Sequence, residues 1–261
     1  MMDHLEALRY ALMRTAVVLM VAAVIVFLYG QTVYEVVILG PRNPGFLTNR
    51  LFCALGTLLE VPALCINQLQ WSDVNLDLAG QFRFHLSLSI NGALMLVVPY
   101  IVLELWWFVK PALYPREKKR ARGFVMITTI LFWTGALFGY FIVMPLAVNF
   151  LANYTVHPDI VNQFQLYSYV RILLSTVLST GLIFEMPVLI WFLARMGLIT
   201  PAMLKQYRKH VVVVLLILSA IITPPDVLSQ FLVAGPLYLL FELGVRVAGR
   251  NVERDGNEPS V

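Results

Sequence analysis

Long apolar runs alternate with short polar breaks along this chain. Six runs stand out, at residues 15–34, 84–109, 123–147, 172–194, 211–222 and 227–241. At 1.5 Å per residue, a helix over each of the first four could cross the roughly 30 Å hydrocarbon core of a bilayer. The pattern predicts an all-α, polytopic membrane protein with six transmembrane helices, the fifth and sixth of them short.

The last two runs are too short to cross a bilayer of ordinary thickness. Run 211–222 would be about 18 Å long as a helix and run 227–241 about 22 Å. Between them, the prolines of Thr223-Pro-Pro-Asp226 prevent a continuous helix, and Asp226 is placed to cap the next one. We also expect Glu242 to pair with Arg246, and the polar tail at 250–261 to be disordered.

Residues 51–69 form a further apolar stretch that is harder to assign. Glu60 and Pro62 lie near its middle, and a charge at the centre of a span costs about 2.5–3.5 kcal/mol on insertion scales. We therefore interpret 51–69 as an interfacial or loop helix rather than a seventh span. Charge bias fits either topology, but Arg9 and Arg14 flank the first span, which favours six spans with both termini in the cytoplasm.

Composition supports a membrane location and excludes several functions. Hydrophobic residues make up 59% of the 261 residues, charged residues 13%, and the mean hydropathy is +0.78. Basic loops beside spans account for the net charge of +4, so nucleic-acid binding is not expected. The first apolar run is too long for a cleavable signal peptide. We find no nucleotide-binding glycine motif and no metal-ligand spacing among the histidines and cysteines, and we expect neither an enzyme nor a cofactor.

The polar break between the second and third spans carries one acid among many cations. Residues 108–122 contain six Lys and Arg residues and the single acid Glu117. One interpretation is an ordinary positive-inside loop in which Glu117 relieves repulsion, and composition alone favours it. The alternative is that Glu117 is available to a visiting cationic group.

Glu185 is the second notable acid, because it lies near the middle of the fourth span. An ionisable group at that depth is costly and usually faces a cavity or a partner. Pro187 should bend the helix close to it. Glu185 could join helices through hydrogen bonds, meet a substrate or partner, or carry a proton in a secondary transporter, which is our alternative function.

Two further pairs of residues give local predictions. Gly135 and Gly139 have the spacing that lets helices approach closely, within the chain or, less favoured, between copies. Cys53 and Cys65 fall in an outer loop, where an oxidising compartment would permit a disulfide, with two buried free thiols as the alternative.

Four segments together resemble a known family in order and spacing. They are HLEALR at 4–9, FVKPALYPRE at 108–117, FEMP at 184–187 and TPPDVLSQ at 223–230. This set is similar to the TatC family, the signal-peptide receptor of the twin-arginine protein translocase. The resemblance implies six spans in a concave, glove-like bundle in the cytoplasmic membrane.

The resemblance also implies roles for particular residues. It reverses the interpretation of Glu117, which would receive the paired arginines of an export signal, because a guanidinium is a good bidentate partner for a carboxylate. Phe108 would lie beside that site, with Glu6 and Arg9 contributing from the N-terminal segment. Glu185 would face the concave side. Asp226 and Gln230 would act in function or partner contact near the outer end of the sixth span.

The N-terminal segment departs from the family pattern. The usual sequence is H-L-x-E-L-R, but here Ala7 occupies the glutamate position and Glu6 precedes it. One residue on a helix is a rotation of about 100°, so Glu6 would not occupy the same position as the family's glutamate.

The function expected from the resemblance is that of a non-enzymatic translocase subunit. It would bind twin-arginine signal peptides for export of folded proteins, driven by the proton motive force. The expected partners are those peptides, single-span subunits of the TatB and TatA type docked along spans five and six, membrane lipid, and further copies in an oligomer.

Overall fold

We analysed a computed structural model of the chain. It describes residues 2–43, 45–58, 60, 74–109, 121–157, 159, 162–223 and 227–256. Within these residues the fold is helical, and the only β-type pairing described is an isolated bridge between Val74 and Gln165 that joins two loops. The all-α prediction is confirmed.

The first helix, α1, spans Met2–Leu28 and is followed after Tyr29 by a short helix, α2, at Gly30–Val33. Helix α1 therefore begins 13 residues before the apolar run predicted at 15–34. At the outer end Gly30 allows a close approach, because a Cβ atom there would overlap the His85 ring. That ring stacks on Phe27 at a centroid distance of 4.0 Å, and its Nε2 lies 2.9 Å from the Phe27 carbonyl oxygen.

A segment with three short elements follows on the outer side. A π-helical turn at Tyr34–Ile38 and a 3-10 turn at Gly40–Arg42 precede helix α3, Leu47–Leu58. The hydroxyls of Tyr140 and Tyr169, from the third and fourth spans, donate to the Val37 and Ile38 carbonyls at 2.7 Å each. These bonds fix the segment to the bundle.

Helix α3 covers part of the uncertain stretch 51–69. Its 12 residues are about 18 Å long as a helix, too short to cross the hydrocarbon core, and Glu60, two residues beyond it, has a positive φ of 58°. Cys53, in α3, is disulfide-bonded. The rest of the stretch through 69, including Cys65, lies outside the described residues.

The second and third spans are long helices. Helix α4, Gly80–Val109, begins four residues before the predicted 84 and continues through Pro99. The third span consists of α5, Ala121–Phe138, a π-helical turn at 139–143 and α6, Met144–Asn153, so it extends past the predicted end at 147.

The fourth span packs against the third through small residues. A Cβ at Gly135 would meet Phe184, and one at Gly139 would meet Thr180, both residues of α7, Leu166–Phe184. The prediction that this glycine pair serves packing within the chain is confirmed. Helix α8, Met186–Arg195, completes the span after a break at Glu185, where Pro187 occupies the first turn of α8, as its bending role required.

After a short helix, α9, at Pro201–Gln206, the last two spans form a hairpin. Helix α10, Arg208–Ile222, has 15 residues, about 22 Å, so the fifth span is short as predicted. Helix α11, Val227–Gly256, is longer than predicted, because its apolar part continues from Ser229 to Gly249. The helix passes the predicted boundary at 241 and includes residues 250–256, the first part of the expected polar tail. Residues 257–261 are not described.

Five helical segments are long and apolar enough to cross a membrane: α1, α4, α5 with α6, α7 with α8, and α11. Helix α10 completes six spans. An even number of crossings places both termini on one side.

Two clusters of buried side chains hold the bundle together. One joins spans two, three and four with the outer segment and includes Ile38, Leu88, Phe132 and Leu173. The other joins the fourth span to α10 and α11 and includes Phe184, Leu215, Leu237 and Phe241.

Candidate functional site at the cytoplasmic ends of the helices

Two of the predicted signal-binding residues, Glu6 and Arg9, lie at the end of the bundle where α4 ends and α5 begins. The chain order places the start of α1, the end of α4 and the start of α5 at the same end, and α1 packs along α4. Glu6 and Arg9 are exposed on α1, three residues apart. Phe108 lies in the last turn of α4, but its side chain is outside the described part. Glu117 belongs to residues 110–120, which the structure does not describe.

The same end holds an ion pair that the sequence analysis did not identify. Arg14 Nη2 of α1 donates to Glu104 Oε2 of α4 at 2.9 Å, and the Tyr100 hydroxyl donates to Glu104 Oε1 at 2.6 Å. The Arg14 guanidinium carbon lies 5.9 Å from the centroid of the Trp107 ring. The Glu104 side chain is 4% exposed, whereas that of Arg14 is 54% exposed.

A signal for this pair was present in the sequence. Arg14 directly precedes the charge-free run at 15–34, and Glu104 lies near the inner end of the second span. Antiparallel neighbouring spans bring two such positions to the same depth. The pairing was not apparent because adjacency of α1 and α4 is a property of the fold.

Glu185 lies at the break between α7 and α8. Both of its carboxylate oxygens are buried, and no described residue offers them a hydrogen bond of good geometry, although the backbone of Phe132 lies near. Buried polar atoms without partners are rare in folded proteins and call for an explanation. Glu185 is therefore a candidate to contact a polar group from a peptide or partner.

The outer turn is only partly described. Asp226 lies outside the described residues. Gln230, in the first turn of α11, donates from Nε2 to the Leu216 carbonyl oxygen of α10 at 3.0 Å. Gln230 thus links the two helices of the last hairpin near its turn.

The last hairpin has a second ion pair at its inner end. Arg208, at the start of α10, bonds through Nη2 to Glu242 Oε1 of α11. The expected partner of Glu242 was Arg246, so this prediction is corrected: Glu242 bonds across the hairpin. The reason is that Arg208 begins the antiparallel helix at the depth that Glu242 reaches.

These features define a multi-pass helical membrane protein whose ion-paired groups gather at its inner end. The chain matches the family described as Sec-independent protein translocase protein (TatC) over residues 3–236. The chain belongs to the TatC family.

Similar proteins agree with this assignment. A TatC protein of Blattabacterium is 33% identical over 94% of this chain and 93% of its own length. One from Helicobacter pylori strain J99 is 35% identical over 77% of this chain and 85% of its own length. A crystal structure of the twin arginine translocase receptor TatC has a TM-score of 0.72 and 28% identity, covering 94% of this chain and 99% of that one.

The family assignment confirms the coarser predictions from the sequence. The chain is a multi-pass inner-membrane protein with the six-span, glove-like fold of TatC. It is a component of the Sec-independent protein translocase and not a catalytic enzyme. This assignment gives no support to the alternative of a proton-coupled transporter built around Glu185.

Proposed function

We propose that this chain is the receptor subunit that binds twin-arginine signal peptides of folded export substrates, with Glu117 receiving an arginine at the cytoplasmic face. The observation that carries the proposal is that the exposed Glu6 and Arg9 of α1 lie at the end of the bundle where α4 ends and α5 begins. These two helices flank the segment of the sequence that contains Glu117.

The proposed peptide extends from that end into the bundle. One of its arginines meets Glu117, helped by Phe108 and by Glu6 and Arg9, and its apolar segment lies along the helices towards Glu185. The buried, unpartnered oxygens of Glu185 support this path, because a polar group arriving from a peptide or partner would satisfy them.

The proposed partners are single-span subunits of the TatB and TatA type, docked along the last hairpin. The outward faces of α10 and α11 support this docking, because they carry large exposed apolar side chains, among them Val213, Ile217, Ile221, Phe231 and Leu239. Asp226 and Gln230 would contact these partners near the outer turn. The energy for transport would come from the proton motive force.

A crosslinking experiment tests the central contact. A twin-arginine peptide with a photoreactive group beside its arginines is added to membranes containing the wild-type chain or the variant Glu117→Gln. We expect the variant to lose about tenfold or more in peptide binding, because a charged hydrogen-bond partner is removed. Glu35→Gln is the matched control, since Glu35 is exposed at the outer end. Undiminished binding in Glu117→Gln would refute the proposal.

A further inference from the structure

The ion pair between α1 and α4 has the composition of a guanidinium-binding site. Glu104 supplies a carboxylate, Tyr100 fixes that carboxylate through its hydroxyl, and Trp107 presents its ring to the bound cation. A planar guanidinium binds well to both carboxylates and indole faces. In the structure the occupant is the chain's own Arg14.

The carboxylate of this site is buried and is hydrogen-bonded at both of its oxygens. Among the described residues Glu104 is the only charged residue that is buried, and each of its carboxylate oxygens accepts a hydrogen bond. A carboxylate shielded from water needs a cation, because an unpaired buried charge is costly. The site therefore requires a cation but does not by itself specify which one.

The occupant is held much less firmly than the host. Half of the Arg14 side chain is exposed, and it makes one hydrogen bond to Glu104 through a single nitrogen. A guanidinium has five N–H donors and can bond a carboxylate through two of them. A second guanidinium reaching Glu104 could therefore replace the contact that Arg14 makes.

The position of the site connects it with the peptide. Glu104 lies four residues, or about 6 Å of helix, before Phe108, and Arg14 lies five residues beyond Arg9 on α1. Both belong to the end of the bundle where the proposed function puts the signal peptide. A twin-arginine signal contains two guanidinium groups, and each of them needs its own hydrogen-bond acceptor on the protein.

We propose that Glu104, Tyr100 and Trp107 form a second guanidinium site, filled by Arg14 in the free protein and by one arginine of the signal peptide in the complex. This inference rests on the proposed function, in which Glu117 receives the other arginine. Arg14 then acts as an internal competitor: it keeps the buried carboxylate paired until a peptide arginine displaces it.

The test is a set of double-mutant cycles between protein and peptide. Affinity is measured for the full chain in lipid nanodiscs with a labelled twin-arginine peptide and with peptides in which either arginine is glutamine. The protein variants are Glu104→Gln and Glu117→Gln, with Glu242→Gln as the matched control from the other ion pair. Glutamine keeps the shape of Glu104 and an acceptor for Tyr100, so the fold should be preserved.

We expect Glu104→Gln to weaken binding of the twin-arginine peptide about tenfold, the scale of a charged hydrogen bond. In the Glu104→Gln variant, replacing one of the two peptide arginines should cause no further loss of affinity. In the Glu117→Gln variant, replacing the other peptide arginine should cause no further loss. If Glu104→Gln weakens all three peptides by the same factor, Glu104 acts only through the fold and the inference is wrong. If a peptide arginine is coupled to Glu117 but neither is coupled to Glu104, the proposed function stands without the second site. If neither peptide arginine is coupled to Glu117, the proposed function is wrong.

Removing the competitor gives an independent readout. Arg14→Gln should tighten peptide binding several-fold, because the peptide arginine no longer has to displace a side chain. Arg14→Lys is the second variant: it keeps a charge beside Glu104 and protects the fold, but an ammonium cannot stack a planar cation on the Trp107 ring, so peptide affinity should again rise. Unchanged or weaker binding in the folded Lys variant would contradict the displacement of Arg14.

Discussion

The two ion pairs at the inner end of the bundle have similar chemistry and different surroundings. Each joins an arginine at the cytoplasmic beginning of an apolar run to a glutamate on a long neighbouring helix. The Glu104 side chain is 4% exposed and bonded at both oxygens. The Glu242 side chain is 22% exposed as a whole, but its Oε2 is buried and has no partner among the described residues.

This difference separates two uses of a charge pair in a membrane protein. The Arg208–Glu242 pair links α10 to α11 while water still reaches part of both side chains. The Arg14–Glu104 pair joins an enclosed carboxylate to an arginine that remains half exposed. An enclosed host with an accessible occupant suits exchange, whereas a partly hydrated pair suits only a link between helices.

The largest expected effect comes from removing the arginine of each pair. Arg14→Ala leaves the carboxylate of Glu104 buried and unpaired, and we expect a loss of about 3 kcal/mol in the free energy of unfolding. Arg208→Ala should cost about 1 kcal/mol, because the partly exposed Glu242 side chain can turn its carboxylate towards water once Arg208 is gone. Thermal unfolding of both variants in the same detergent measures the difference. Equal losses would remove the distinction between the pairs.

Replacing both partners sharpens the comparison. The double variant Arg14→Met, Glu104→Met has no buried charge, so its stability should return to within about 1 kcal/mol of the wild type. Its affinity for the twin-arginine peptide should nevertheless stay low, since the carboxylate is gone. Thermal unfolding in detergent measures the stability, and peptide binding in lipid nanodiscs measures the affinity. Full recovery of peptide binding would show that the pair only holds the helices together.

The smallest effect is expected from the hydroxyl that supports Glu104. Tyr100→Phe removes one of the two hydrogen bonds to the carboxylate and leaves Arg14 in place. The loss of stability should be roughly half or less of that in Arg14→Ala. Tyr238→Phe, on the α11 side, is the control, because no hydrogen bond is described for its hydroxyl. A loss as large as that of Arg14→Ala would mean that Tyr100, not Arg14, keeps the carboxylate satisfied.

The sequence allowed most of the fold to be predicted. Apolar run length located the first four spans, because a helix must satisfy its own backbone in lipid and needs about 20 residues to cross. Pro187 placed the break at Glu185, and the glycine pair at 135 and 139 identified a close helix contact. Helix ends were less accurate: α11 extends to Gly256 because polar residues continue a helix once it has left the membrane.

The candidate site was predictable only in part. Glu117 and Glu6 followed from sequence motifs, since a motif requires only residues close together in the chain. Glu104 pairs with Arg14 across 90 residues, and Glu242 pairs with Arg208 across 34. Such partners depend on which helices are neighbours and on how each helix is rotated, and an apolar run determines neither.

By itself, the sequence determined that the chain is a helical membrane protein and where its spans, breaks and polar loops lie, because these follow from local hydrophobicity and backbone chemistry. Only the tertiary structure decided which charged side chains meet. That choice depends on the packing of α1 on α4 and of α10 on α11, where side chains distant in sequence reach the same depth and can bond to one another.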